Sequence, residues 1–240
     1  MGTCGQKSME TINEAKIPGT SDAISFEGLA LINEQKENNV CKIIKDNGMK
    51  GTGFLCIIPF PDKLHPLPVL MTCNHVINEE DLKLGNQIKL IFNDKMEKIL
   101  TIDNSRLFYA NKKDDVDTTI IEIKNEDNFD INNMLEIDNN IYKDDLNKYY
   151  ENKTIYIIHY PKGGNSSYSH NIIERIHNEI IFHKCTTDFG SSGAPIFNLQ
   201  NFKVMGIHKG SLKFNIGIPI KKPIYYFNEM MLIKKQKEEN

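Results

Sequence analysis

Much that would define a partner or a compartment is missing from this chain of 240 residues. No run of about 18 apolar residues occurs anywhere, which excludes a transmembrane helix. The start, Met1-Gly2-Thr3-Cys4-Gly5, turns polar too soon to hold the apolar core of a secretory signal. An excess of positive charge is absent as well. The formal net charge is −3, whereas proteins that neutralise phosphates carry a basic surface, so nucleic acid is not an expected partner. Cysteines are few and odd in number: Cys4, Cys41, Cys56, Cys73 and Cys185 lack the regular spacing of a disulfide framework. With no secretion signal they read as reduced thiols, and the expected location is the cytoplasm. No Cys-x-x-Cys pair or Cys/His cluster has zinc-ligand spacing, so neither a metal nor another cofactor is expected. Internal repeats and low-complexity tracts are absent too.

What remains is the composition of an ordinary globular protein, 40% apolar and 25% charged. The length suits one large domain or two of about 100 residues. Residues 1–24 are polar, contain Pro18-Gly19 and read as a loose arm. Ser25 is placed to cap a helix carrying Phe26, Leu29, Ala30, Leu31 and Ile32, which Asn38-Asn39 should end, so residues 1–39 form an arm and helix. From Val40 the texture changes to short β-like runs separated by turn clusters such as Asp46-Asn47-Gly48. These continue to Lys124, and residues 40–124 are read as a first barrel. The polar stretch 125–152 reads as a connection with a short helical piece near Leu146. A second β series begins at Thr154, and Pro223 suits the first turn of a closing helix over Ile224–Ile233. Residues 153–240 are therefore a second barrel and its helix. Two sets of about six strands point to two small barrels, not a parallel α/β sheet.

Three segments carry residues suited to chemistry. Gly190-Ser191-Ser192-Gly193-Ala194-Pro195 precedes the apolar Ile196-Phe197. A nucleophilic serine needs a tight turn and converging backbone N–H groups, which flanking glycines permit. Val69-Leu70-Met71-Thr72-Cys73-Asn74-His75-Val76 is an apolar strand delivering a histidine, preceded by Gly51-Thr52-Gly53-Phe54. Asp115-Val116-Asp117 sits at the start of the run Thr118-Thr119-Ile120-Ile121. Taken singly, each has an ordinary structural explanation: a turn before a strand, a core or surface histidine, a strand-capping acid. His65, His159, His170, His177 and His183 have no such context and read as structural or exposed.

Together, in this order, the segments resemble the trypsin-like serine peptidases. In that family a Gly-x-Gly-Phe strand precedes Thr-x-x-His-Val, then Asp-x-x-Ile/Val-Ile/Leu, then Gly-x-Ser-Gly-Gly/Ala-Pro. The resemblance runs from about Lys50 to Ile220. It implies an all-β, chymotrypsin-like double six-stranded barrel, here with an N-terminal and a C-terminal helix. It implies further that Ser192 attacks the scissile carbonyl, His75 acts as general base and acid, and Asp117 orients the imidazole. The backbone N–H groups of Gly190 and Ser192 would then form the oxyanion hole. Asp115 and Ser191 are the alternatives within their motifs, and both match the family spacing less well. Zymogen-regulated members have an aspartate before the nucleophile, where this chain has Ser191, and no Ile-Val-Gly-Gly start is present. Activation by N-terminal clipping is not expected.

The residues before the nucleophile and the strand after it line the family's primary pocket. Thr187, His208 and Ser211 resemble those of glutamyl endopeptidases and picornavirus-type main proteases, which implies cleavage after Glu or Gln. Glu should gain over Gln once His208 is protonated, near pH 6.5 for an unperturbed imidazole. Alternatively, His208 only caps a core strand and the pocket takes small apolar residues. Thr186 occupies the position of the trypsin-type aspartate, so a basic preference is not expected. The expected partner is a protein or peptide substrate. The competing function is an inactive pseudo-protease that binds peptides as a scaffold. Gly2 and Cys4 are candidate lipidation sites, although Gln6 stands where a serine or threonine is usual, so a lipid anchor is not favoured.

Overall fold

The computed structural model describes residues 17, 19–45, 47–113 and 116–238. Gly2, Cys4 and Asp115 lie outside them.

Alternating and continuous apolar runs form the strands where expected. The first series is β1 (Val40–Ile44), β2 (Lys50–Ile58), β3 (Leu67–Cys73), β4 (Gln87–Phe92), β5 (Met96–Thr101), β6 (Phe108–Asn111) and β7 (Thr118–Glu122). They make one seven-stranded sheet in the order β5-β4-β1-β2-β3-β7-β6. The second series is β8 (Thr154–His159), β9 (Ser167–His177), β10 (Ile180–His183), β11 (Pro195–Asn198), β12 (Lys203–Ser211) and β13 (Asn215–Pro219). These close into a barrel in the order β10-β13-β12-β11-β8-β9. The architecture is thus chymotrypsin-like, with the first unit a seven-stranded half-barrel and the second a closed six-stranded barrel. β9 starts five residues ahead of its apolar run at Ile172. Its leading Ser167–Asn171 segment is exposed or half-buried and pairs with β8, so it carries no apolar alternation to read.

The N-terminal helix forms where expected. Helix α1 (Phe26–Asn38) is capped by the Ser25 hydroxyl, which accepts from Gly28 N. Of its apolar residues only Ile32 is buried; Phe26, Leu29 and Leu31 are exposed. Polar contacts dock it instead, with Tyr156 donating to Gln35 Oε1 and Gln35 donating to the Phe202 carbonyl. Asp22, in the stretch read as a loose arm, is tied to Thr154 through both backbone and carboxylate. The connection between the sheets contains three 3₁₀ turns and α2 (Leu146–Tyr150). Of its apolar residues Met134, Leu135, Ile141 and Tyr150 are buried. Asp138, fully buried, accepts from Tyr150, Asn198 and Asn140. Burial alone would raise its carboxyl pKa, but these hydrogen bonds hold it below the usual carboxylate value. Helix α3 (Lys221–Glu238) returns to the first sheet, where Phe227 packs edge-on against Phe60 at 5.1 Å. No helix among the described residues is long and apolar enough to cross a membrane.

Candidate active site

β3 and β7 are antiparallel neighbours with Cys73 opposite Thr118. That register places His75, two residues past the end of β3, beside Asp117, one residue before β7. A tight turn, with Val76 N and Ile77 N both donating to the Cys73 carbonyl, swings the His75 ring back over the sheet. Asp117 Oδ2 lies 2.8 Å from His75 Nδ1, while Asp117 Oδ1 accepts from His75 N at 3.0 Å. The aspartate adopts a left-handed backbone, φ 39°, a conformation uncommon outside glycine that aims its carboxylate at the histidine. Its side chain is buried, whereas that of His75 is half exposed to a cleft.

Ser192 lines the same cleft, a cavity of about 510 Å³. Its Oγ donates to the Lys209 carbonyl at 3.0 Å, and no hydrogen bond joins it to His75 among the described residues. Proton transfer between them requires that the hydrogen bond to Lys209 be given up. Around it the backbone is almost fully committed. Ser191 N donates to Asp188 O, Gly193 N to His208 O and Ala194 N to Ser191 O. The N–H groups of Gly190 and Ser192 have no partner among the described residues. The Phe189 carbonyl is held at 2.6 Å by Lys162 N, which turns the Gly190 N–H of the same trans peptide the opposite way.

Two glycines make this turn possible. Gly190 has φ 84°, and a Cβ there would stand 2.7 Å from both Tyr160 O and Gly163 N. Gly193 has φ 89°, and a Cβ would meet Thr52 O at 2.1 Å. The turn is therefore pressed against β2, where Thr52 clamps it. Thr52 N donates to Ser192 O, and Thr52 Oγ1 donates to Gly190 O and accepts from Tyr160 N. In the sequence only the small residues on either side of Thr52, Gly51 and Gly53, mark it.

The profile of the trypsin-like peptidase domain matches residues 51–207. The chain belongs to that family. Among solved structures it is similar to the serine endoprotease from Yersinia pestis, with 14% identity, TM-score 0.60, and coverage of 87% of this chain and 68% of that one. It is also similar to the inactive form of the Rv3671c protease, with 19% identity, TM-score 0.55, and coverage of 85% and 94%. No curated protein sequence matches it.

Against this trypsin-like frame the expected pocket residues fall unevenly. His208 lies on β12 and is 1% exposed. Its Nδ1 is 3.2 Å from His183 Nε2. Burial, then the neighbouring His183, His159 and His75, push its pKa well below the usual imidazole value. Such an environment disfavours the protonation near pH 6.5 on which the gain of Glu over Gln depends. Thr187 is half-buried and spends its hydroxyl proton on Asn215 Oδ1 at 2.7 Å. Ser211 stands at the exposed end of β12, opposite Asn215. Neither Ser211 nor Thr187 lines the cavity shared by His75 and Ser192.

Two histidines without sequence context are buried beneath the turn. His159 Nδ1 lies 2.7 Å from Ser191 Oγ, which also accepts from Asp188 N. Burial pushes the His159 pKa down to about 4 and that of His183 down to about 3. The position held by a charged aspartate in zymogen-regulated trypsins is thus a neutral Ser–His contact. Cys73, His75 and Asp117 also converge, with one ligand atom each inside 4.8 Å. Burial and then the Asp117 charge drive the Cys73 thiol far above its ordinary pKa, and it donates to the His208 carbonyl. All three side chains are thus already engaged, Cys73 with the His208 carbonyl and Asp117 with His75.

Proposed function

We propose that the chain is a serine endopeptidase. Ser192 is the nucleophile, His75 the general base and then acid, and Asp117 the group that holds the imidazole tautomer and stabilises the imidazolium. The N–H groups of Gly190 and Ser192 receive the oxyanion of the tetrahedral intermediates on the way to and from the acyl-enzyme. One observation carries this reading: two unpartnered backbone N–H groups flank a serine whose cleft also holds a carboxylate-bound histidine. Two free donors beside a serine in an otherwise satisfied turn are what an oxyanion hole requires. Fluorophosphonate labelling that disappears in Ser192→Ala tests the reading.

Cleavage after Glu or Gln belongs to the same proposal. His183 Nδ1 is buried without a partner. An orphaned acceptor costs less than an orphaned N–H, which favours the tautomer in which His183 Nε2–H donates to His208 Nδ1. His208 then carries its own proton on Nε2; the neutral ring also has a backbone hydrogen bond with Ile216, which a substrate side-chain carbonyl oxygen would have to share or displace. Thr187 supports that wall of the pocket through Asn215, and Ser211 borders it. A cytoplasmic setting also fits, since Cys41, Cys56, Cys73 and Cys185 are buried free thiols.

The Ser192–Lys209 hydrogen bond favours a second reading, a pseudo-protease that binds peptides without cutting them. Absence of probe labelling together with retained peptide binding would select it.

A further inference from the structure

The cavity at Ser192 is lined in part by Met49, Lys50, His75, Lys162 and Phe189, and by nothing from β12. β12 lies on the Lys209 side of the serine, where the acyl part of a substrate would be held. His75 faces the cavity and must hand its proton to the departing amine, so the cavity belongs to the leaving-group side.

Its charge is one-sided. Lys50 rests its stem on Gly163, where a Cβ would approach Lys50 Cδ to 2.2 Å. Its Nζ reaches only the Gly163 carbonyl, at 3.5 Å, and no carboxylate pairs with it among the described residues. Lys162 is 70% exposed and has Asp188 at 3.7 Å, a loose and solvent-screened partner. No described lining residue is acidic, although the chain as a whole is net negative. Met49 and Phe189, both exposed, add apolar surface to the same cleft.

We propose that Lys50 and Lys162 form a subsite for an acidic side chain, Asp or Glu, one or two residues after the scissile bond. Its orientation rests on the peptidase reading; its affinity for acidic peptides does not. The test uses Ser192→Ala protein and fluorescein-labelled peptides that differ only in carrying two Glu or two Lys after a central Gln. Fluorescence anisotropy at low salt should show the acidic peptide binding about five- to tenfold more tightly. Much of that advantage should vanish at about 0.5 M salt. Lys50→Glu should reverse the preference, and Lys162→Glu should weaken it. Equal binding of the two peptides, including none of either, overturns the subsite, as does a preference unmoved by Lys50→Glu. Fluorophosphonate labelling of the parent protein tests the peptidase reading separately. An unlabelled protein with a Lys50-dependent acidic preference would sink that reading and keep the subsite.

Discussion

The half-barrel and the closed barrel hold histidines of opposite character. His75, from the half-barrel, is half exposed and fastened to a carboxylate. His159, His183 and His208, from the barrel, are buried, and the partners found for their ring nitrogens are neutral: Ser191 for His159, and each other for His183 and His208. A buried ring with no carboxylate beside it stays neutral, because burial penalises the charged form. One sheet thus sets its histidine against a carboxylate at the cleft. The other supplies uncharged scaffolding beneath the turn that presents Ser192.

The largest effects should come from the charged side of this contrast and its serine. Ser192→Ala or His75→Ala should each lower kcat by about 10⁴ or more, and the double variant should be little worse than either alone. Asp117→Asn should fold yet lose about 10⁴ in kcat. Near-normal turnover of a good peptide by His75→Ala would remove the general base from the scheme.

A smaller effect is expected where the two units meet. Thr52→Val deletes the hydroxyl that joins Gly190 O to Tyr160 N and loosens the turn without touching His75 or Asp117. We expect kcat to drop by about 10²-fold, comparable to losing an oxyanion donor, with about 1–3 kcal/mol of stability lost in denaturant titration. Thr52→Ser should restore most of both. If Thr52→Val raises KM alone, the clamp serves binding and not the oxyanion site.

The mildest effect should come from the neutral histidines and should appear as stability. Their folded pKa values lie below those of the unfolded chain, about 4 for His159 and about 3 for His183, against about 6.5 unfolded. The unfolded state therefore binds more protons between these limits. The stabilisation is complete above about pH 6.5 and is lost as pH falls toward 4 and then 3, with up to about 1.4 kcal/mol per pH unit per histidine. Urea midpoints measured from pH 7 to 4.5 should fall accordingly, and His183→Asn should flatten the slope by close to one proton. A midpoint that stays level down to pH 5 would mean these rings are not held neutral.

Local pattern made most of the framework legible. The apolar runs placed the strands, Ser25 the start of α1, and the strand ends on which His75 and Asp117 sit. Register then does the rest, because antiparallel pairing of β3 with β7 leaves those two residues nowhere to be but side by side. The α1 apolar residues located the helix but not its buried face, since a five-residue apolar set says nothing about which of them finds a partner; only Ile32 is buried.

What the amino-acid order determined by itself was the set of local conformations: strand lengths, capped helix, and a glycine-flanked serine turn. Non-local contacts decided the remainder. Thr52 becomes a clamp only when β2 meets a turn 140 residues later, with Thr52 N on Ser192 O. His159 and His183 look like any other histidines until the barrel closes over them and strips away their water. Lys50 and Lys162 acquire a shared cleft only once the two units are packed. Burial and charge proximity are sums over neighbours distant in sequence, and no window along the chain contains them.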